Sequence, residues 1–569
     1  MSVSEQTFSQ LPYVRPDLSA LKASIDVITS TLDASPDAEK TLAAIRSWNS
    51  VRMQFSTMHS LAEVRYTQNV ADTEAKSEKE FFDAEYPTIT EWFTSVIKRI
   101  LASPHRDAIV GAFGNLFIKR LEAGDRTFDP SIKDLLVEET RLCTEYSDIT
   151  ASAKIDVDGT TYNLSSILKL QIDLDRDVRL KAVKAQYAWL EQNSERIEGI
   201  YDRLVKLRTE RAHALGYPSY TEFRYEEFGR VDYTANDVAV FRQAVIDHVV
   251  PLVTRFRQAQ ARRLGLDQIE LHDERVQFVD GNPLAEGDHD WIVDKAQRMY
   301  ADLSPETHEF FDLMLQRELL DLKTRENKAT GGYCTSFPTY GVPFIFANFN
   351  KTTHDVEVLT HEAGHAFQAY RSRTYDVPEY LWPTAEACEI HSMGMEFLTW
   401  PWMDLFFGKQ TDKFRFYHLQ GALLFLPYGC AVDQFQHWVY ANPSATPAER
   451  NAEWKRLEGV YMPWRDASSV PYAAHGTQWQ FQKHIIEAPF YYIDYALAQT
   501  CALQYWQRSL EDRTQAFKDY LKICDIGGSQ AFLEIVRSGN LKSPFELTTL
   551  ADISAYATHW LERHYGHYL

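Results

Sequence analysis

Along most of the chain apolar residues recur every three or four positions, the spacing that gathers them on one side of a helix. The first such run, Leu18, Leu21, Ile25, Ile28 and Leu32, opens behind Pro16 and Asp17, a helix-start signature. From there to about Gly124 the pattern predicts a stack of helices arranged as antiparallel hairpins, punctuated at Ser35-Pro36-Asp37 and at Ser103-Pro104. The period drops to two over residues 153–163, where alternating side chains flank Asp158-Gly159 and predict one small β-hairpin. Helices resume over 164–214 and close at Leu215-Gly216-Tyr217-Pro218-Ser219, a natural subdomain boundary. More are expected over 235–264 and 291–322. Two aromatic-rich stretches, 331–337 and 343–349, then read as short strands. Beyond them the chain is again helical to its end, interrupted at 462–476. No internal repeat or low-complexity tract breaks this organisation.

Composition changes the picture little. A chain of 569 residues can bury a large core, as two lobes or as one large domain with subdomains. Its formal charge of −21 leaves no basic excess to displace counterions from phosphates, which argues against nucleic acid as a partner. The aromatic content of 13% suits a large core better than it demands a lined cavity. The six cysteines are scattered without the pairing of a metal knuckle or a disulfide framework and are expected to be reduced. The N-terminal residues MSVSEQTFSQ lack the pattern of a signal peptide. The longest apolar run, 421–432, is short and carries Pro427, so no membrane span is expected. The cytoplasm is the expected location, and oligomeric state is left unassigned.

Candidate chemistry enters at His361-Glu362-Ala363-Gly364-His365. The surrounding segment, 355–372, holds helix formers and no proline, with Val356, Leu359, Ala363, Phe367 and Tyr370 spaced to bury another side. Residues four apart share a helix face, so His361 and His365 can offer ring nitrogens to one metal ion. Glu362, one step round, can reach a water held there. This is the kernel of a zinc hydrolase, with one Zn2+ expected per chain. Two histidines and a carboxylate leave a fourth position for water whose pKa falls to about 7. Glu362 is then the candidate general base, taking a proton from that water and passing it to the leaving amine. Glu357, four residues before His361, is a candidate hydrogen-bond partner for that imidazole. The third ligand belongs to the next helical segment, where Glu386, Glu389, Met393 and Glu396 share a stripe. Spacing does not choose among the three glutamates. The strands just before the metal helix could offer a sheet edge to an extended peptide through main-chain hydrogen bonds, or simply cover the helix.

HEAGHAFQ followed by PTAEACEIHSMGMEF resembles the thimet oligopeptidase and oligoendopeptidase F family of zinc metallopeptidases, and most of all its shorter bacterial-type oligoendopeptidases. The likeness covers about residues 200–560, and the N-terminal helices match only in general character. The resemblance implies that the third ligand is the glutamate seven before another glutamate, which here is Glu389, with Glu396 the later one. It implies a mainly α, two-lobed helical protein with a deep substrate channel, a small β-sheet beside the zinc helix, and internal cleavage of short peptides with folded proteins excluded. The chain then divides into an N-terminal helical region, 1–205, and a metallopeptidase catalytic region, 206–569. The segment His484-Ile485-Ile486-Glu487-Ala488-Pro489-Phe490-Tyr491-Tyr492-Ile493-Asp494-Tyr495 is similar to a family segment whose histidine and tyrosines face the zinc. Tyr492 and Tyr495 correspond to its last two tyrosines. An earlier tyrosine of that pattern falls on Ala488, and His484 is offset by about one residue. A phenol there is a good donor to the oxyanion of a tetrahedral intermediate. The rival readings are a carboxypeptidase or dipeptidyl carboxypeptidase on a similar channel fold, and a peptide-binding protein without turnover. Intact His361, Glu362, His365 and Glu389 argue against the second.

Overall fold

The structure, a computed structural model, describes residues 6–34 and 37–569. It is 72% helical with two small sheets, so the mainly α expectation is met. Asp17 caps the first long helix, Leu18–Asp33, by accepting from the backbone N–H groups of Ser19 and Ala20. Ser35 and Pro36 of the next expected break lie outside the described residues, but Asp37 caps Ala38–Gln68 in the same way through Lys40. With Thr73–Leu101, Arg106–Phe113 and Asn115–Thr127 these helices enclose a small core of their own, including Ile25, Trp48, Val96 and Phe117. The main core takes in Phe8 and Leu11 and then runs from the second of these helices through the remainder of the chain. The position chosen to separate the two regions, residue 205, falls inside the 39-residue helix Arg176–Ala214, so continuous helix joins them there.

The expected hairpin is present as β1 (Ile155–Val157) and β2 (Thr160–Tyr162), paired antiparallel across Asp158 and Gly159, both with positive φ. That is the backbone a two-residue turn of matching twist requires. The second sheet has three strands where two were expected. The helical period over 291–322 belongs to two helices, His289–Leu303 and Pro305–Gln316, and then to β3 (Leu320–Lys323). Ser304, capping the second helix ahead of Pro305, ends the first. β3 pairs parallel with β5 (Val342–Phe349), whose other side pairs antiparallel with β4 (Tyr333–Phe337). A strand of four residues without clean alternation gives no period to read, so only its partner reveals it. The helix expected over 235–264 likewise contains a π-turn, Val245–Val249, just before Pro251.

Four later helices carry the site: α1 (His354–Ser372), α2 (Ala385–Leu398), α3 (Thr411–Ala441) and α4 (Tyr492–Ile526). Pro427 does not break α3, because the helix is buried on several sides, with Leu423, Leu426 and Cys430 fully enclosed. α1 and α2 approach very closely at Gly364. A Cβ there would stand 2.4 Å from the carbonyl oxygen of His391 and 2.7 Å from Ser392 Cα. The glycine inside the HEAGH pentad therefore sets the distance between the two helices that carry the candidate ligands.

Candidate active site

His361 and His365 lie one helical turn apart on α1, and Glu389 reaches them from α2. Glu389 Oε2 is 3.3 Å from His361 Nε2 and 3.3 Å from His365 Nε2. One donor atom from each of the three residues lies within 4.8 Å of the others, a set that could hold a metal ion. Two imidazoles and one carboxylate, drawn from two rigid helices and leaving a side open, fit a divalent ion with a catalytic rather than a closed structural site. Burial opposes charge on Glu389, yet His365 and His361 hold its carboxyl well below the usual range. Its other contacts are donors: Ser392 Oγ at 2.8 Å from Oε2 and the Tyr491 hydroxyl at 3.1 Å from Oε1.

The glutamates that spacing left open go to different places. Glu386 is 1% exposed and faces the buried Arg230 and Tyr233, away from the histidines. Glu396 stands behind His361, its Oε1 accepting from Nδ1 at 2.7 Å. The partner expected for that imidazole, Glu357, instead faces His354 at 3.4 Å. Glu357 is drawn toward His354 a turn earlier on α1, whereas α2 crosses beside the His361 ring. A second histidine extends this support: Trp400 Nε1 donates to His418 Nδ1 at 3.0 Å, so His418 Nε2 carries the proton and donates to Glu396 Oε2 at 2.7 Å. Burial opposes charge on Glu396, but His361 and His418 hold its carboxyl down at about 2. As an acceptor on both sides it fixes the His361 tautomer with Nε2 free to ligate. Sequence reading missed His418 and Trp400, which share no period with α1 or α2.

Glu362 is 8% exposed, and its Oε2 is shut away with no hydrogen-bond partner. Burial raises its pKa, the two histidines working against the rise and Glu389 and Glu396 with it. Gly332, immediately before β4, lies against it: a Cβ there would be 3.7 Å from Glu362 Oε1. β4 itself is an edge strand of the sheet, packed beside α1.

The segment 484–495 forms the facing wall. Tyr428 donates to Gln482 Oε1 at 2.8 Å, which turns the Gln482 amide to donate to His484 Nδ1 at 2.9 Å. His484 thereby keeps its proton on Nε2, and burial, with Lys483 nearby, pushes its pKa down to about 4, so the ring is neutral. It stacks on Tyr491 and touches Tyr492 and Tyr495. Tyr495 lies in the field of Glu389 and Glu362 and beside Tyr491. Tyr492 instead turns its ring onto Phe425 and Tyr428 and lines a neighbouring cavity. Tyr491, which the sequence reading passed over, is the tyrosine that meets Glu389. The turn before it explains the change of register: Phe490 is fully buried with φ +65°, a conformation costly for a bulky side chain. Gln436 accepts from its N–H at 2.8 Å and Arg230 donates to its carbonyl at 2.6 Å, and these bonds hold it there.

Fold and site together define a metallopeptidase framework. The chain matches the family model "Peptidase family M3" over residues 170–554 and the "Peptidase M3 N-terminal domain" over residues 8–128. It belongs to peptidase family M3, as the resemblance in its motifs implied. It is similar to a solved structure of Pz peptidase A with an inhibitor, at 44% identity and TM-score 0.93 over 97% of this chain and 99% of that one. A structure from Bacillus anthracis strain Ames, provisionally assigned as an oligoendopeptidase F, shares 41% identity with a TM-score of 0.89 over 98% of both chains. Among curated proteins, the group B oligopeptidase PepB of Streptococcus agalactiae serotype III (strain NEM316) is 23% identical over 270 residues. That match spans 47% of this chain and 39% of PepB.

Proposed function

We propose that the chain is a zinc-dependent endopeptidase that hydrolyses internal bonds of short oligopeptides, with His361, His365 and Glu389 holding the ion. The observation that carries this reading is the convergence of those three donors beside a buried carboxylate oxygen, Glu362 Oε2, that has no partner. What a bound zinc ion supplies is Lewis acidity, which polarises a carbonyl and makes water a nucleophile near neutral pH. Glu362 takes the proton of the attacking water and delivers it to the leaving nitrogen, and its raised pKa suits both halves of that task. Glu396 and His418 keep the His361 ring in place. Tyr495, with the Nε2–H of His484, presents a donor to the oxyanion as it forms, while the Tyr491 hydroxyl is committed to Glu389. Tyr492 serves the wall of the channel. The edge of β4 binds the extended peptide through its main chain, largely independent of sequence. Such a site between helical walls admits an extended chain and excludes a folded one.

Among the described residues, no helix is long and apolar enough to cross a membrane. All six cysteines are free thiols, which suits a reducing cytoplasm.

Removal of metal with a chelator should abolish peptide cleavage, and one equivalent of zinc should restore it. Glu362→Gln should keep the metal, by elemental analysis, and lose most turnover. A fully active Glu362→Gln enzyme would refute the mechanism. Mass spectrometry of products from a peptide blocked at both ends separates this reading from an exopeptidase, which would leave such a peptide intact.

A further inference from the structure

Two cavities of about 570 and 450 Å³ adjoin the candidate site and share Arg257, Glu274 and Arg275 as a common wall. The first also contains Gln482 and Tyr492, the second Glu396 and His418, so both open against the groups that support the metal site. The charges on the shared wall do not cancel. Glu274 is fully engaged by Arg465, whose Nε and Nη2 grip its two oxygens at 2.9 and 2.7 Å. Glu458 lies a further 3.7 Å from Arg465. Glu357 and Glu396 line the second cavity, so the excess of cations lies on the first, whose lining sets Arg257, Arg275 and Arg465 against Glu274 alone in a chain whose net charge is −21.

Arg257 is the unusual one. It is 8% exposed, yet its guanidinium meets only neutral oxygens, the Gln260 side chain at 2.7 Å and the Glu274 backbone carbonyl at 2.8 Å, both through Nη1. Its Nε is buried without any acceptor. Burial pulls its pKa below the ordinary value, and the nearby Glu274 offsets this only in part. A buried cation left unpaired costs several kcal/mol by general estimates, so such groups ordinarily sit against a carboxylate. Arg275, on the same wall, is exposed, and among the described residues its guanidinium has neither a hydrogen-bond nor an ion-pair partner. The amides of Gln171, Gln186, Gln478 and Gln482 complete the polar lining.

We infer that this wall is an anionic subsite of the peptide channel: Arg257 and Arg275 bind a carboxylate of the substrate, either its C-terminus or an Asp or Glu side chain a few residues from the scissile bond. The inference rests on the peptidase reading above and deepens it. A fork of guanidinium donors matches the two oxygens of a carboxylate, and such bonds are among the strongest available to a peptide ligand. Electroneutrality favours the same answer, because a bound carboxylate supplies the counter-charge that Arg257 lacks.

The test uses the zinc-loaded full chain and a fluorescent, N-acetylated octapeptide made in three forms: neutral and C-amidated, the same sequence with a free C-terminal carboxylate, and amidated peptides in which one Glu replaces one Gln at successive positions. Binding is read by anisotropy and turnover separately by kcat/KM. A carboxylate in the subsite should tighten binding about tenfold over its neutral counterpart. Preference for the free C-terminus identifies one source and preference for Glu at one position the other. Arg275→Gln, at an exposed position where folding is not at risk, should reduce the preference, and Arg257→Met should reduce it further. Equal binding of all three forms, or a preference that persists in Arg275→Gln, Arg257→Met and the double variant, would overturn the inference. Carboxylate preference with no cleavage of any peptide would leave the subsite standing and sink the peptidase reading; cleavage without preference would do the reverse.

Discussion

The helix pair that carries His361, His365 and Glu389 and the wall that carries His484, Tyr491 and Tyr495 meet at one place but are built by different means. In the first, regular helices do the positioning: two ligands are one turn apart, and a glycine with no Cβ brings the second helix to them. In the second, one strained residue sets the register. Phe490, at φ +65°, turns the chain immediately before α4, so Tyr491 rather than Tyr492 reaches Glu389. Helical placement is robust because it repeats every residue, whereas placement by a single unfavourable backbone angle depends on the two buried hydrogen bonds that hold it. The metal side is therefore specified locally, and the tyrosine side by its neighbours.

Removing single hydroxyls gives the sharpest contrast within the wall. Tyr495→Phe should lower kcat on the order of 10²-fold with zinc content unchanged, because the lost donor acts chiefly in the transition state, whereas Tyr491→Phe, which loses a hydrogen bond to Glu389, should weaken zinc binding. Tyr492→Phe, whose ring faces Phe425 and Tyr428, should change kcat far less. Steady-state kinetics with metal analysis decides this, and a Tyr492→Phe defect in kcat as large as that of Tyr495→Phe would erase the distinction.

On the metal side the corresponding weak point is Gly364. Its replacement by Ala drives a methyl into the α2 backbone at His391 and Ser392, which has no flexible side chain to yield. Overpacking of this kind costs about 1–3 kcal/mol. Gly364→Ala should therefore lower the urea midpoint and weaken zinc binding together, since any separation of the helices moves Glu389 from the histidines. Unchanged zinc affinity, measured by competition with a chromophoric chelator, would show that the helix spacing has slack.

A smaller effect concerns the packing that holds Phe490. His437 rests on that ring, 3.5 Å from Asp433 and 3.3 Å from the Tyr225 hydroxyl, with Arg242 and Arg230 nearby. Burial pushes its pKa down to about 4 from an ordinary 6.5. The unfolded chain thus binds a proton that the folded one refuses between those values. Its contribution is constant above about pH 6.5, and stability falls as pH drops toward 4, by about 3 kcal/mol in all. Urea titrations at pH 7 and pH 4.5 should show a smaller acid loss in His437→Gln than in the parent, and an identical loss in both would remove His437 as the cause.

By itself the sequence determined the helical class, the hairpin at Asp158-Gly159 and the candidacy of His361, Glu362 and His365, because period and turn chemistry are local properties that a short stretch displays in full. Resemblance to a family, rather than spacing, singled out Glu389. Tertiary structure decided the rest. Which glutamate approaches the histidines depends on where α2 crosses α1; which tyrosine approaches Glu389 depends on one backbone angle held by Gln436 and Arg230. Glu396, His418 and Trp400 form a single chain of hydrogen bonds, although 22 positions separate Glu396 from His418. The short strand β3 exists only because β5 lies beside it. Arg257 reads as an ordinary charged residue until its burial and its unpartnered Nε set it apart. In each case the decisive quantity is a distance or an absent contact between segments remote in sequence, and no periodicity along one chain records it.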